Sequence, residues 1–274
     1  MIIKIFPKIH KGNYSVITIA PESADITFGR FIETGPIKLI RQDEEILHLI
    51  SGLFILEALL RDGRYGSFER ELTGDENIQI EMDFLRTEGS SKLETYLTHL
   101  LTFSLGISVT LSVVSKGLAR QTVLFETSKN DGAICLFSGG ADSFAGILTT
   151  KNRINHTIGI FVSHAMLRKL VEEKLIPRME SQNIPVRVIK IPKGRQSVQQ
   201  LRGFVYTSIA GIVAHYYGMS KIIISEIGPV MFQPSYDILD EVTITTHPVT
   251  IELTRKILYI FLTKSSTYRL LSRC

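Results

Sequence analysis

The chain has 274 residues, 44% hydrophobic and 21% charged, enough for one large domain or two smaller ones with a sizeable core. Its 31 Lys and Arg against 27 Asp and Glu leave a net charge of +4, compatible with phosphate binding but too small to mark a nucleic-acid binder by charge. Two cysteines, Cys135 and Cys274, exclude a disulfide framework and a zinc site built from cysteine alone.

The opening MIIKIFPKIHKG breaks after a few apolar residues, which argues against a secretory leader. Alternating runs at Tyr14–Ala20, Asn77–Phe84 and Ser108–Val114 read as half-buried strands, separated by helical stretches at Asp43–Arg61 and Ser91–Leu105. This pattern predicts an α+β N-terminal domain over residues 1–129 with a largely antiparallel sheet. The apolar stretch Ile46–Leu60 is shorter than the ~20 residues a membrane span needs. His48, Ser51 and Glu57 interrupt it, so it reads as a buried helix, with no membrane association and the cytoplasm as the default location. The carboxylates of TGDENIQIEMDF alternate with apolar residues, as on the wet face of a strand. The first half offers no other site chemistry.

A polar run at Thr127–Gly132 marks the boundary, and residues 130–274 then read strand, helix, strand, helix. Apolar strands are predicted at Ala133–Ser138, His156–Ser163, Val186–Pro192 and Lys221–Glu226. Helices are predicted near Ser143–Lys151, Ala165–Gln182 and Val198–Tyr217. Such an alternation implies an α/β domain with a parallel sheet covered on both faces, whose ligands gather at the carboxyl ends of the strands. Cys135, inside an apolar run, fits a small buried residue better than a nucleophile.

The chemistry centres on Ser138-Gly139-Gly140-Ala141-Asp142-Ser143, between a predicted strand and a helix. The glycines permit a sharp turn and close approach of a ligand. The N–H groups at the helix start, with its positive dipole end, suit a phosphate. The hydroxyls of Ser138 and Ser143 add donors. Asp142 would repel a bare phosphate, so it points to a metal ion or to a cap ordering the loop. A strand-to-helix turn capped by Ser or Asp, with no ligand, is the plain alternative. No Lys follows the glycines, so the Walker A pattern does not fit, and neither does G-x-G-x-x-G.

The hexapeptide resembles the pyrophosphate loop of the PP-loop ATP pyrophosphatases, which have an adenine nucleotide α-hydrolase-like (HUP) fold. The stretch Leu201–Pro229 sets an Arg at the start of a long helix and a strand ending in Ser-Glu-x-Gly, and Ile244–Pro248 reads ITTHP. Together these resemble the 7-cyano-7-deazaguanine synthase branch of queuosine biosynthesis, especially divergent members with an extra N-terminal domain, some of them found in bacterial antiviral defence operons. Leu72–Phe84 is similar to that extra domain.

The resemblance implies ATP and Mg²⁺ as cofactors, with Ser138, Gly139, Gly140, Ala141, Asp142 and Ser143 gripping the pyrophosphate end. Asp142, Arg202 and Glu226 are the candidate catalytic residues. Arg202, Glu226, Gly228, Thr246 and His247 are the candidate substrate contacts. A guanidinium at Arg202 suits a phosphate or carboxylate through a bidentate fork, against the alternative of a solvated surface Arg. Glu226 has the alternative of capping a loop. Thr246 or His247 has the alternative of capping a helix that opens at Pro248. His164, after the second strand, is set aside as a solvated loop residue. The standard synthases end in a zinc-binding cysteine cluster, and LTKSSTYRLLSRC carries none, so no metal ligand set is assigned and the C-terminal part is read as shortened or divergent.

The implied reaction is ATP-dependent adenylation of a carboxylate, 7-carboxy-7-deazaguanine in the synthases, followed by amide and nitrile formation or by transfer to an amine. Two other classes stay open: a tRNA-modifying PP-loop enzyme, and a non-catalytic nucleotide-binding subunit. The former is weakened by the absence of a Cys pair for sulfur transfer. Expected partners are a small deazaguanine-type carboxylate, a protein met through the N-terminal domain, and a second copy of the chain. The lack of charge clusters weighs against nucleic acid.

Overall fold

The computed structural model describes residues 2–5, 16–19, 27–28, 46, 49–50, 53, 64–65, 68–69, 75–82, 90–106, 108–115, 130–163, 168–190, 200–225, 245–262 and 269–273. The described strands are β1 (Ile2–Ile5), β2 (Val16–Ile19), β3 (Thr27–Phe28), β4 (Arg64–Tyr65), β5 (Phe68–Glu69), β6 (Asp75–Met82), β7 (Ser108–Ser115), β8 (Asn130–Leu136), β9 (Thr157–Ser163), β10 (Val186–Lys190), β11 (Met219–Ser225) and β12 (Arg269–Arg273). The helices are α1 (Ser90–Leu105), α2 (Ala141–Lys151), the composite α3 (Arg168–Leu170, Val171–Leu175 and Ile176–Glu180 in succession), α4 (Arg202–Tyr216) and α5 (Pro248–Leu262).

The first sheet has the order β2-β1-β6-β7, and every pairing in it is parallel. This corrects the expected antiparallel sheet. The period-2 pattern of Asn77–Met82 predicts a strand, but it carries no information about direction. Direction comes from α1, which returns the chain so that β7 starts at the same end as β6, with Asp75 beside Ser108 and Met82 beside Ser115. Leu93, Leu97, Leu100 and Leu101 recur at helical spacing on α1 and share a core with Val109, Leu111 and Val113, the alternate residues of β7. The Glu94 carboxylate accepts the Val113 N–H at 3.1 Å, which covers a backbone donor of a strand at the sheet's edge.

The second sheet has the order β12-β11-β8-β9-β10-β3, with β8 to β12 parallel and β3 antiparallel at the edge. The molecule is therefore of α/β character, with parallel sheets and covering helices. Alternation along the strands splits two cores. Ala133, Cys135, Phe137 and Phe161 face α2 and α3, with Ile147, Val171, Ile176 and Met179. Ile134, Ile158, Ile160, Val162 and Ile189 face the other side, with α4 and α5. Both faces are thus dry, which is why these strands read as near-continuous apolar runs.

α4 is buried along almost its whole length, from Phe204 to His215, between the sheet and α5. Gly211 permits this, since a Cβ there would already stand 3.1 Å from Leu258. The apolar cluster of α4 and α5 is continuous with that of α1 and β7, and Ile46, Leu49, Ile50 and Leu53, at helical spacing, join it. The Lys256 ammonium lies 5.3 Å above the Tyr96 ring, a further link from α5 to α1. β4 and β5 form a separate antiparallel pair. The two larger sheets fall on either side of residue 130 apart from β3, but one core spans both parts of the chain.

The chain passes from β8 to β9 and β10 on one side, then returns to the other side of β8 for β11 and β12. The order reverses between β8 and β11. In an open α/β sheet the crevice at such a reversal, outside the carboxyl ends of the strands, is where ligands bind. β12, which pairs with β11 from Lys221–Arg269 to Ser225–Arg273, was not foreseen in the tail. Among the described residues no helix is long and apolar enough to cross a membrane.

Candidate functional site

Residues 138–143 lie at the carboxyl end of β8, beside the reversal. Phe137, buried, still belongs to the sheet, its N–H donating to Ile160 O at 2.8 Å. The chain then turns through Gly139, whose φ of +86° is a conformation that L side chains rarely adopt. Gly140 follows in an extended conformation as the N-cap of α2, and the first helical bond runs from Phe144 N–H to Gly140 O at 3.1 Å.

The hydroxyls of the loop form a circuit around Gly140. Gly140 N–H donates to Ser138 Oγ at 3.4 Å, Ser138 Oγ–H to Ser143 Oγ at 3.1 Å, and Ser143 Oγ–H to Gly140 O at 2.9 Å. In this arrangement both serine hydroxyls donate within the loop, and their effect is to fix its shape. The N-cap makes no side-chain capping bond. A cap by Ser or Asp, the plain alternative for this sequence, is therefore not what starts α2. Asp142 sits exposed in the first turn, close to the positive end of the helix. The first-turn N–H groups of α2 consequently lie beside one carboxylate and two glycines, a combination that can meet an anion carrying a counter-cation.

Two residues outside the hexapeptide set the loop's depth. A Cβ at Gly146 would fall 1.8 Å from Ser225 Oγ, so α2 lies directly on the last residue of β11. A glycine within an apolar helical stretch was the available sequence signal for this close packing. The second is Val171, fully buried, whose Cγ2 lies 2.6 Å from where a Gly139 Cβ would stand. No local pattern in the sequence announces that contact.

Arg202 opens α4 and is half-buried. Burial raises the Tyr206 phenol above its ordinary value of 10, and the Arg202 charge one turn away opposes that rise. Gly203 is pressed against the segment before α5, since a Cβ there would fall 1.6 Å from Thr245 O. The structure thereby brings the start of α4, with Arg202, against the segment that carries Thr246 and His247. α2 follows the carboxyl end of β8, Val171 of α3 lies against Gly139, and the segment before α5 lies against Gly203 at the start of α4.

Pro248 is the first residue of α5, as expected. His247 is its cap: Nδ1 accepts Val249 N–H at 3.2 Å, and Ile251 N–H donates to His247 O at 3.1 Å. Its ring packs on Phe103 of α1, centroids 5.0 Å apart and tilted by 47°. Burial holds the imidazole below its usual value, in keeping with a neutral ring that accepts a hydrogen bond. The capping alternative thus describes His247. Thr246 Oγ1 is buried with no hydrogen-bond partner in the structure. Glu226, Gly228 and His164 lie outside the described residues.

Cys135 is buried and its thiol is pushed up to about 12 by desolvation, so it is structural and not a nucleophile. Among the described residues no three His, Cys, Asp or Glu side chains gather to hold a metal ion. No protein-family model matches the chain, and no curated protein matches it.

Proposed function

We propose that the chain binds ATP at residues 138–143 and activates a carboxylate by adenylation, as the resemblance to PP-loop ATP pyrophosphatases implies. The observation that carries this reading is the position of the loop, at the reversal between β8 and β11 with a glycine N-cap and no side-chain cap. The strand order outward from β8, with two parallel strands on either side of it, agrees with a nucleotide-binding α/β domain.

The first-turn amides of α2 would receive the pyrophosphate end of ATP, already aimed at the charge that develops as the α-phosphorus is attacked. Asp142 is the loop's carboxylate and the protein's candidate ligand to the cation that accompanies the phosphates. Mg²⁺ bound there would supply neutralisation of the departing pyrophosphate. Arg202 would orient the substrate carboxylate through its fork of donors. Thr246, whose hydroxyl is buried and unpartnered, offers a polar contact near the same helix start. Transfer of the acyl group from AMP to ammonia or an amine would complete a C–N bond-forming ligase reaction. The substrate we assign is a 7-carboxy-7-deazaguanine-type acid, in queuosine-type metabolism or antiviral defence. A cytoplasmic location and protein contact through residues 1–129 complete the proposal.

Pyrophosphate release from ATP and Mg²⁺, with and without 7-carboxy-7-deazaguanine, tests it. The expected result is substrate-dependent release that Asp142→Ala lowers at least tenfold, about 1.4 kcal/mol in the barrier. ATP binding without release under any condition would overturn the ligase reading in favour of a nucleotide-binding subunit.

A further inference from the structure

Between β9 and β10, α3 does not run as a regular α-helix. Residues Val171–Leu175 form a π turn, closed where Ile176 N–H donates to Val171 O five residues back. Pro177 accounts for it. Proline has no N–H to bond the carbonyl of Glu173, and in a regular helix its ring would press on that carbonyl. A wider turn relieves the clash, and such turns carry one extra residue relative to the α-helical path.

The extra residue changes which side chains look inward. Val171, at the start of the wide turn, has no exposed surface, while Glu173 and Lys174 point to solvent. A Cβ on Gly139 would lie 2.6 Å from Val171 Cγ2 and 3.7 Å from Leu175 Cδ1. Val171 and Leu175 therefore form an apolar ledge on which the backbone of Gly139 rests. Valine suits the part, because branching at Cβ leaves it few rotamers and makes its methyl a stiff support. A loop with two adjacent glycines needs such a support, since glycine loses more conformational freedom on ordering than any other residue. The Ser138–Ser143 circuit holds Gly140 from one side, and Val171 holds Gly139 from the other.

We propose that Val171 is a positioning residue for the 138–143 loop, set beneath Gly139 by the wide turn that Pro177 imposes, and that anion affinity at the loop depends on this ledge. The dependence of affinity rests on the nucleotide reading above. The dependence of loop order does not.

The experiment compares Val171→Ala and Val171→Thr with the wild-type protein. Alanine removes the ledge, and threonine fills nearly the same volume while burying a hydroxyl that costs stability. Amide hydrogen exchange over residues 137–146 is measured without nucleotide, beside thermal unfolding and calorimetric binding of Mg-ATP. The expected result for Val171→Ala is at least tenfold faster loop exchange, unchanged exchange in β9 and β10, and at least tenfold weaker ATP binding. Val171→Thr is expected to lower the melting temperature yet keep loop exchange and ATP affinity within about twofold of wild type. Unchanged loop exchange in Val171→Ala, or equal loosening in Val171→Thr, would overturn the proposal. If the wild-type protein binds no ATP while the exchange pattern appears as stated, the nucleotide reading fails and the positioning role stands.

Discussion

α2 and α5 each follow a strand of the second sheet in the chain, yet their first turns are finished in different ways. α5 starts on a side chain: His247 accepts the Val249 N–H, and Phe103 covers its ring. α2 starts on Gly140, with no side-chain cap, and the nearby hydroxyls bond to one another around that glycine. The two helices offer similar dipoles. The difference lies in who occupies the N-terminal donors. At α5 a protein group already does, which makes a structural joint between α1 and α5. At α2 the protein shapes the loop and places no side-chain cap on the first turn, which is the turn proposed above to receive an anion.

Substitutions at the two starts sharpen that contrast. The largest effect is expected where the start of α4 presses on the segment leading into α5. Gly203→Ala would force a methyl group to within 1.6 Å of Thr245 O, a backbone atom that cannot swing aside. A loss of ~3 kcal/mol in unfolding free energy is expected, read by urea denaturation. A loss below 1 kcal/mol would mean that α4 and the Thr245 segment are not in rigid contact.

An intermediate effect is expected at the loop. Ser143→Ala removes the hydroxyl that donates to Gly140 O and accepts from Ser138, and it should cost ~1–2 kcal/mol. On the proposed nucleotide reading its larger mark should fall on ATP affinity, since the circuit shapes the turn assigned to the ligand. Equal affinity for Mg-ATP in the variant and the wild-type protein would break the assignment of the serines to loop shape.

The smallest effect is expected at the α5 cap, where His247→Ala should cost ~1 kcal/mol or less at neutral pH. Its pH dependence carries the more useful sign. Burial lowers the folded-state pKa of His247 below the ordinary 6.5, so the unfolded chain binds the proton first as pH falls. Stability from this group is complete above pH ~6.5 and is lost as pH drops through the lower folded value. Melting curves between pH 7.5 and 5 should show that decline in the wild-type protein and a shallower one in His247→Ala. A steeper decline in the variant would contradict the neutral cap.

Much of the second half was legible from the chain. Apolar runs placed β8 to β11 to within a few residues, because strands buried on both faces need apolar side chains on both. Pro248 announced the start of α5, since a missing N–H costs nothing in a first turn. The helix expected at Ala165–Gln182 is present as α3 over Arg168–Glu180, but helical periodicity does not show the wide turn that carries Val171. At the loop, the glycines were recognised as a turn and Ser138 and Ser143 as hydroxyl donors. Their mutual bonding was not legible, because it depends on the loop's three-dimensional closure. His247 stood open between cap and substrate contact, and only the geometry at Val249 N showed the cap. The partners of Gly203 and Gly146 were not legible, because they lie 42 and 79 positions further along the chain.

What the chain by itself determined was local: the period of each element, the glycine turn after β8, and the helix start at Pro248. These follow from φ/ψ preferences and from side-chain periodicity, which act over a few residues. What only the tertiary structure decided was relational. The direction of the first sheet, the reversal between β8 and β11, the close contact at Gly203 and the ledge under Gly139 each depend on chain segments that meet across long sequence separations. A local pattern records that a surface must be covered, and the fold decides which residue covers it.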